Sequence, residues 1–242
     1  MTTTEQLLCR DDCPNLEQHV ITQDLTRKPD DPANGAPARL LALLNTWLWV
    51  PGQTLIVSFL NGSPWQQNTV ASYAEEWSEY ANINFRFNNH NKYPQIRISF
   101  ESGFNSSRIG RDALNAHRGE PTMRLGSIRE GLAAVDLRRA VLHEFGHALG
   151  CLHEHQHPDA ALTWNLPELR KHFHGEGWKD EEIYAQIINR YDRTNTQYSD
   201  YDPDSIMIYP IPENCLGPNN RIDYNINLSP RDKASIAKLY PK

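Results

Sequence analysis

The chain has 242 residues, 39% of them hydrophobic and 22% charged, with a formal net charge of -6. That length allows one large domain or two small ones with a substantial buried core, and the composition is ordinary for a globular protein. There is no basic field to draw in nucleic acid, so a nucleic-acid partner is set aside.

The chain starts MTTTEQLLCRDD, without the basic residues or the continuous apolar stretch of a secretory signal, so taken as the native start it encodes no ordinary secretion. Residues 1–38 are polar and end in KPDDPANGAPA, whose prolines, glycine and aspartates favour extended or turning chain. This predicts an N-terminal extension ahead of a single domain over 39–242. The most apolar run, 40–50, is about half the roughly 20 residues of a membrane span and contains Asn45 and Thr46. It reads as a buried helix, and no membrane partner is expected. Residues 54–60, TLIVSFL, are β-branched and aromatic enough for a buried strand.

A helix start follows, with Ser63 as N-cap, Pro64 at the first helical position and Gln66 completing a capping box. Val70, Tyr73, Ala74, Trp77, Tyr80 and Ala81 then recur at helical spacing as one apolar face. Residues 83–88 and 95–100 alternate apolar and polar like half-buried strands, with NHNKYP turning between them. Residues 121–126, PTMRLG, form a shorter strand whose opening proline suits a strand start or a sheet edge. Beyond residue 157 the order weakens into loops with short helical stretches such as DEEIYAQIINRY, and Trp164, Trp178 and several tyrosines supply a modest core. The last helix has Ser229 as cap, Pro230 next and Asp232 near its positive end. There is no internal repeat.

Four of the chain's ten histidines fall in HEFGHALGCLHEH, which runs from His143 to His155. Residues four apart share a helix face, so His143 and His147 present both imidazoles to one point with Glu144 beside them. Val141, Phe145 and Ala148 lie at core spacing and hold that helix against the interior. Gly150, three after His147, suits a helix end with positive φ, after which the chain can turn back and deliver His153. Three neutral imidazoles leave one position of a tetrahedral zinc open for water, the mark of a catalytic site, and Glu144 is placed to accept that water's proton.

HEFGHALGCLH resembles HExxHxxGxxH, the signature of the metzincin zinc endopeptidases. DSIMIYP, around Met207, looks like the Met-turn of that clan, and Glu154 after the third histidine together with Tyr209 resembles the astacin family. The closing LSPRDKASIAKLYP is similar to the C-terminal helix of astacin-like proteins. The resemblance implies an α+β metzincin fold: a mixed twisted sheet and two long helices in an upper subdomain, a cleft holding one catalytic zinc, and an irregular lower subdomain with a C-terminal helix. It implies a monomeric endopeptidase acting on peptide or protein substrates, with His143, His147 and His153 as zinc ligands and Glu144 as general base. Tyr209 would be a further ligand that moves to stabilise the transition state, and Met207 an apolar floor below the metal. The strand containing Met123, Arg124, Leu125 and Gly126 would pair with the substrate as an edge strand. Ile208 departs from animal astacins, which usually carry histidine there, and Cys151 stands where an apolar or aromatic residue is expected. Family members are mostly secreted, against the absence of an export signal in this chain.

Zinc has no room for five imidazoles plus water, so His155 and His157 are expected beside the site rather than on the metal. Glu154 is expected to fix a neighbour by hydrogen bonding, and Asp202 and Asp204 to form a turn. Cys9 and Cys13 admit two readings: a thiolate from the extension that fills the open zinc position and keeps the enzyme latent, or a local disulfide or free thiols in a terminus. Cys151 and Cys215 either pair or remain thiols. The rival reading is a zinc-holding metzincin scaffold that recognises partners without cutting them, against which the intact Glu144 argues. A serralysin-like metzincin is disfavoured by Glu154.

Overall fold

The structure, a computed structural model, describes the backbone of residues 9–11 and all of residues 47–101, 103–191 and 200–242. The predicted helix over 40–50 lies mostly outside the described residues. Among these residues no helix is long and apolar enough to cross a membrane.

Among the described residues six strands make one mixed sheet: β1 (Cys9–Asp11), β2 (Thr54–Phe59), β3 (Asn84–Phe87), β4 (Ile96–Ser99), β5 (Asn105–Ser107) and β6 (Met123–Leu125). Their order is β1-β5-β6-β4-β2-β3. β2 pairs parallel with both β3 and β4, and β4 parallel with β6, with Leu55 opposite Phe85 and Phe59 opposite Ile98. Parallel strands carry helices on their faces, which is why β2 reads as a near-continuous apolar run; β2 buries Leu55 and Val57, and the alternating β4 buries Ile96 and Ile98. β5 runs antiparallel to β6, and β1 adds to the outer side of β5 in parallel.

One strand here was not expected from the sequence, and one expectation changes. β5 has the sequence NSS, with no apolar pattern to announce it, yet all three residues are buried. Asn105 Oδ1 accepts from the Ser127 amide at 3.2 Å and the Ser127 hydroxyl at 2.9 Å, so the polar strand is held by side-chain bonds. The predicted edge strand over 121–126 is not an edge, because β6 has β4 on one side and β5 on the other. Its proline marks only a strand start.

The helix predicted from Ser63 divides into α1 (Pro64–Ala74) and α2 (Glu76–Tyr80), with the capping box of Ser63 and Gln66 formed as expected. The break leaves Trp77 fully buried, its indole N–H donating to the Leu142 carbonyl at 3.0 Å. That bond ties α2 to the long helix α3 (Ala134–Ala148). Downstream lie α4 (Leu166–Gly175), α5 (Asp180–Ile183), a π turn over Tyr184–Ile188, and α6 (Pro230–Leu239). One core cluster joins the sheet, α1, α2, α3 and Met207, and a second gathers Phe173, Trp178, Ile187, Tyr209 and Cys215. The C-terminal end is pinned to the upper part of the molecule: the Tyr240 hydroxyl donates to the Leu149 carbonyl at 2.6 Å, and the Asn82 amide donates to the Tyr240 carbonyl at 2.8 Å.

Candidate active site

α3 is buried almost throughout from Leu137 to Ala148, so its histidines stand inside the protein rather than on a wet surface. The helix ends in a Schellman motif: Gly150 has φ +99°, its amide donates to the His147 carbonyl at 2.8 Å, and the Cys151 amide donates to the Gly146 carbonyl at 2.9 Å. Only glycine takes that conformation cheaply. The reversal returns the chain so that the Cys151 carbonyl faces His147 Nδ1 at 2.9 Å and His153 closes on the helix.

His143, His147 and His153 are all buried and their ligand atoms converge. His147 Nε2 is 3.2 Å from His143 Nε2 and 3.2 Å from His153 Nε2. His143 Nδ1 lies 2.8 Å from the Ile206 carbonyl, and His147 Nδ1 faces the Cys151 carbonyl, so both carry the ring proton on Nδ1. Their Nε2 atoms are then acceptors only and cannot bond to each other. Two ligands about 2.05 Å from a tetrahedral zinc stand about 3.3 Å apart. The spacing is that of nitrogens sharing one cation. Burial, and then the neighbouring His147 and His153, push His143 well below the usual imidazole range. Burial and His147 do the same to His153, against hydrogen bonding from the Gln156 side chain. Such groups are neutral, as metal ligation requires.

The family model for Astacin, a family of peptidases, matches residues 45–215. The chain belongs to the astacin family. Among solved structures it is similar to a structure of myroilysin, with 36% identity and a TM-score of 0.78 over 82% of this chain and 98% of that one. A crystal structure of myroilysin matches at 29% identity and a TM-score of 0.67, over 100% of this chain and 94% of that one. High choriolytic enzyme 1, a hatching enzyme zinc-protease from Oryzias latipes (medaka fish), matches at 19% identity and a TM-score of 0.54, over 87% of this chain and 98% of that one. That last likeness is one of fold. No curated protein sequence matches the chain. The protein is thus a zinc metalloendopeptidase of α+β fold; astacin enzymes use one catalytic zinc, and the three converging histidines are positioned to hold a metal ion.

Around this astacin centre the other residues fall as follows. Glu144 is 1% exposed on α3. Tyr209, also 1% exposed, sets its ring 5.7 Å from that of His153. His155 is engaged elsewhere: its Nδ1 accepts from the Tyr209 amide at 3.3 Å and its Nε2 lies 2.8 Å from the Gln186 carbonyl. His157 Nδ1 accepts from the Asp159 amide at 3.0 Å. Glu154 accepts from the Asp202 amide at 2.7 Å, and burial pushes its carboxyl up to about 7. Asp202 accepts from the Asp204 amide at 3.1 Å, the turn expected of it. Cys151 and Cys215 are both free, Cys151 against the upper cluster and Cys215 inside the lower one. Burial pushes the Cys151 thiol up, away from the reactive thiolate form. Cys13 and the side chain of Cys9 lie outside the described residues.

Two residues near the site had no signal of their own in the sequence. Arg139, one turn before His143, is buried and donates from Nη2 to the Ile208 carbonyl at 2.6 Å and from Nη1 to the Asn225 carbonyl. It clamps α3 to the turn carrying Met207 and Tyr209. Gly146 is the other: a methyl there would collide with Met207 Sδ, so the thioether packs directly on the helix between the two histidine turns. Gly146→Ala should destabilise the metal-free protein by about 1–3 kcal/mol in chemical denaturation. The double variant with Met207→Ala should lose less than the sum of the single losses, whereas wild-type stability of Gly146→Ala would show that Met207 has room to move aside.

Proposed function

We propose that this astacin-family enzyme hydrolyses peptide bonds with Glu144 as general base and Tyr209 as oxyanion donor. The observation that carries the reading is the convergence of three ring nitrogens in a buried site, His147 Nε2 lying 3.2 Å from Nε2 of both His143 and His153, with Glu144 next to His143 on the same rigid helix. Held by His143, His147 and His153, a zinc ion supplies Lewis acidity that polarises the scissile carbonyl and lets water attack near neutral pH. Glu144 takes the proton of that water on its carboxylate and delivers it to the leaving amine. The Tyr209 hydroxyl donates to the carbonyl oxygen as negative charge grows there, a role favoured by its buried position beside His153. No covalent acyl intermediate is required.

The peptide or protein substrate implied by the family needs an extended strand to pair with. β6 is enclosed by its neighbours, so the substrate is assigned to the outer side of β5, the antiparallel strand that packs against α3. That same side pairs with β1, with Cys9 opposite Asn105 and Asp11 opposite Ser107. The N-terminal extension and a substrate therefore compete for the same backbone groups, and the extension lowers activity by occupying them.

Glu144→Gln should keep one bound zinc and lose nearly all peptide hydrolysis; a variant that retains most of its turnover removes Glu144 from the role of base. Tyr209→Phe should lower kcat by about 10²-fold with zinc retained, and unaltered turnover would leave the tyrosine a packing residue. Removing residues 1–38 should raise the rate of cleavage of a long peptide. Equal rates for the full and shortened chains would contradict competition at β5.

A further inference from the structure

We propose that Asp232, at the start of α6, is the remote carboxylate of the zinc ligand His143, acting through Ser205 and the Ile206–Met207 peptide. Asp232 is a positioning residue in this account, and the proposal rests on the reading of His143 as a zinc ligand.

The connection is a continuous run of hydrogen bonds with one direction. His143 Nδ1–H points at the Ile206 carbonyl at 2.8 Å. The N–H of that same peptide, on Met207, donates to Ser205 Oγ at 3.0 Å. The Ser205 hydroxyl donates in turn to Asp232 Oδ1 at 2.7 Å. The peptide and the hydroxyl each both accept and donate, and the series ends on the one group able to carry a full negative charge. Series of this kind polarise one another, so charge at the far end makes the imidazole a better donor at Nδ1 and a more basic ligand at Nε2. Metal-binding histidines commonly give their second ring proton to a carboxylate or a carbonyl; here the carbonyl is backed by a carboxylate two links away.

Burial and, to a lesser extent, the neighbouring Asp202 push the Asp232 carboxyl up, and its hydrogen-bond donors work against them in favour of the charged form. The Ile206 amide donates to its Oδ2 at 2.8 Å and the Ser229 amide to the same oxygen at 2.9 Å, in addition to the Ser205 hydroxyl. Three donors aimed at two oxygens match a carboxylate, which only accepts. It also sits in the first turn of α6, where the helix dipole favours negative charge. Because Asp232 holds both the Ile206 amide and the Ser205 hydroxyl, it fixes the Ile206 carbonyl in orientation as well as in polarity. A residue near the end of the chain, which helix capping alone would account for, thereby reaches the first zinc ligand.

The test is the zinc dissociation constant of the full chain, measured by competition with a chromophoric chelator, together with the melting temperature of each apoprotein. The wild type should bind one zinc. Ser205→Ala and Asp232→Asn should each weaken zinc binding by about tenfold, the low end of the effect of altering an outer partner of a metal ligand, and the double variant should be little weaker than either. Ser229→Ala removes the N-cap of the same helix and the bond from Ser229 Oγ to Asp202, but no link of the series, since Ser229 Oγ caps the Asp232 amide at 2.9 Å. It should lower the apoprotein melting temperature and leave the zinc constant at the wild-type value. Wild-type zinc affinity in Ser205→Ala overturns the proposal even where Asp232→Asn does not fold. An equal loss in Ser229→Ala overturns it too, because helix stability would then explain the effect. A wild type that takes up no zinc sinks the underlying zinc reading, an outcome separate from failure of the relay alone.

Discussion

The crowding of three imidazole ring nitrogens at one buried point is the constraint around which the rest of the molecule is arranged. Three Nε2 atoms are held together in a buried site, with His147 at 3.2 Å from each of the other two. Gathering acceptors in low dielectric is unfavourable, because each gives up water and faces the lone pairs of its neighbours. A shared cation reverses the sign of that cost. The arrangement is therefore a metal centre first, and its enclosure is what makes a single ion there a strong electrostatic influence on anything bound beside it.

Holding such an arrangement requires rigidity from several directions, and each comes from a different part of the chain. Trp77 fastens α2 to α3 through the Leu142 carbonyl, and Tyr240 fastens the C-terminal end through the Leu149 carbonyl. The Schellman turn at Gly150 sets the third histidine and orients the second. The turn over Ser205 to Tyr209 is gripped by Arg139 from α3, by His155, and by Asp232 from α6. Its Met207 side chain lies in the space that Gly146 leaves open. The Met-turn thus works as a keystone between the two hydrophobic clusters, with Met207 in one and Tyr209 in the other.

The metal centre was legible in the sequence because its information is local. A four-residue helical spacing, a glycine at the helix end and a third histidine three residues later suffice to build it, and the capping boxes of Ser63 and Ser229 were readable for the same reason. The apolar strands β2, β3 and β4 were also visible in their patterns. Sheet order was not, since nothing in PTMRLG records that NSS will pair beside it, and a buried polar strand depends on a partner such as Ser127 more than twenty residues away. The same holds for Arg139, Gly146 and Asp232. Each has an ordinary local reading, as a helix arginine, a helix glycine and a capping acid, and only the fold brings them against the Met-turn.

Peptide hydrolysis by this enzyme depends on one zinc held by the three histidines. Metal analysis of the purified full chain, paired with cleavage of an unbiased peptide mixture before and after chelation and after zinc is returned, tests this dependence most directly. One zinc per chain is expected, with cleavage lost on chelation and restored by zinc. Cleavage that continues in a zinc-free chain would contradict this dependence.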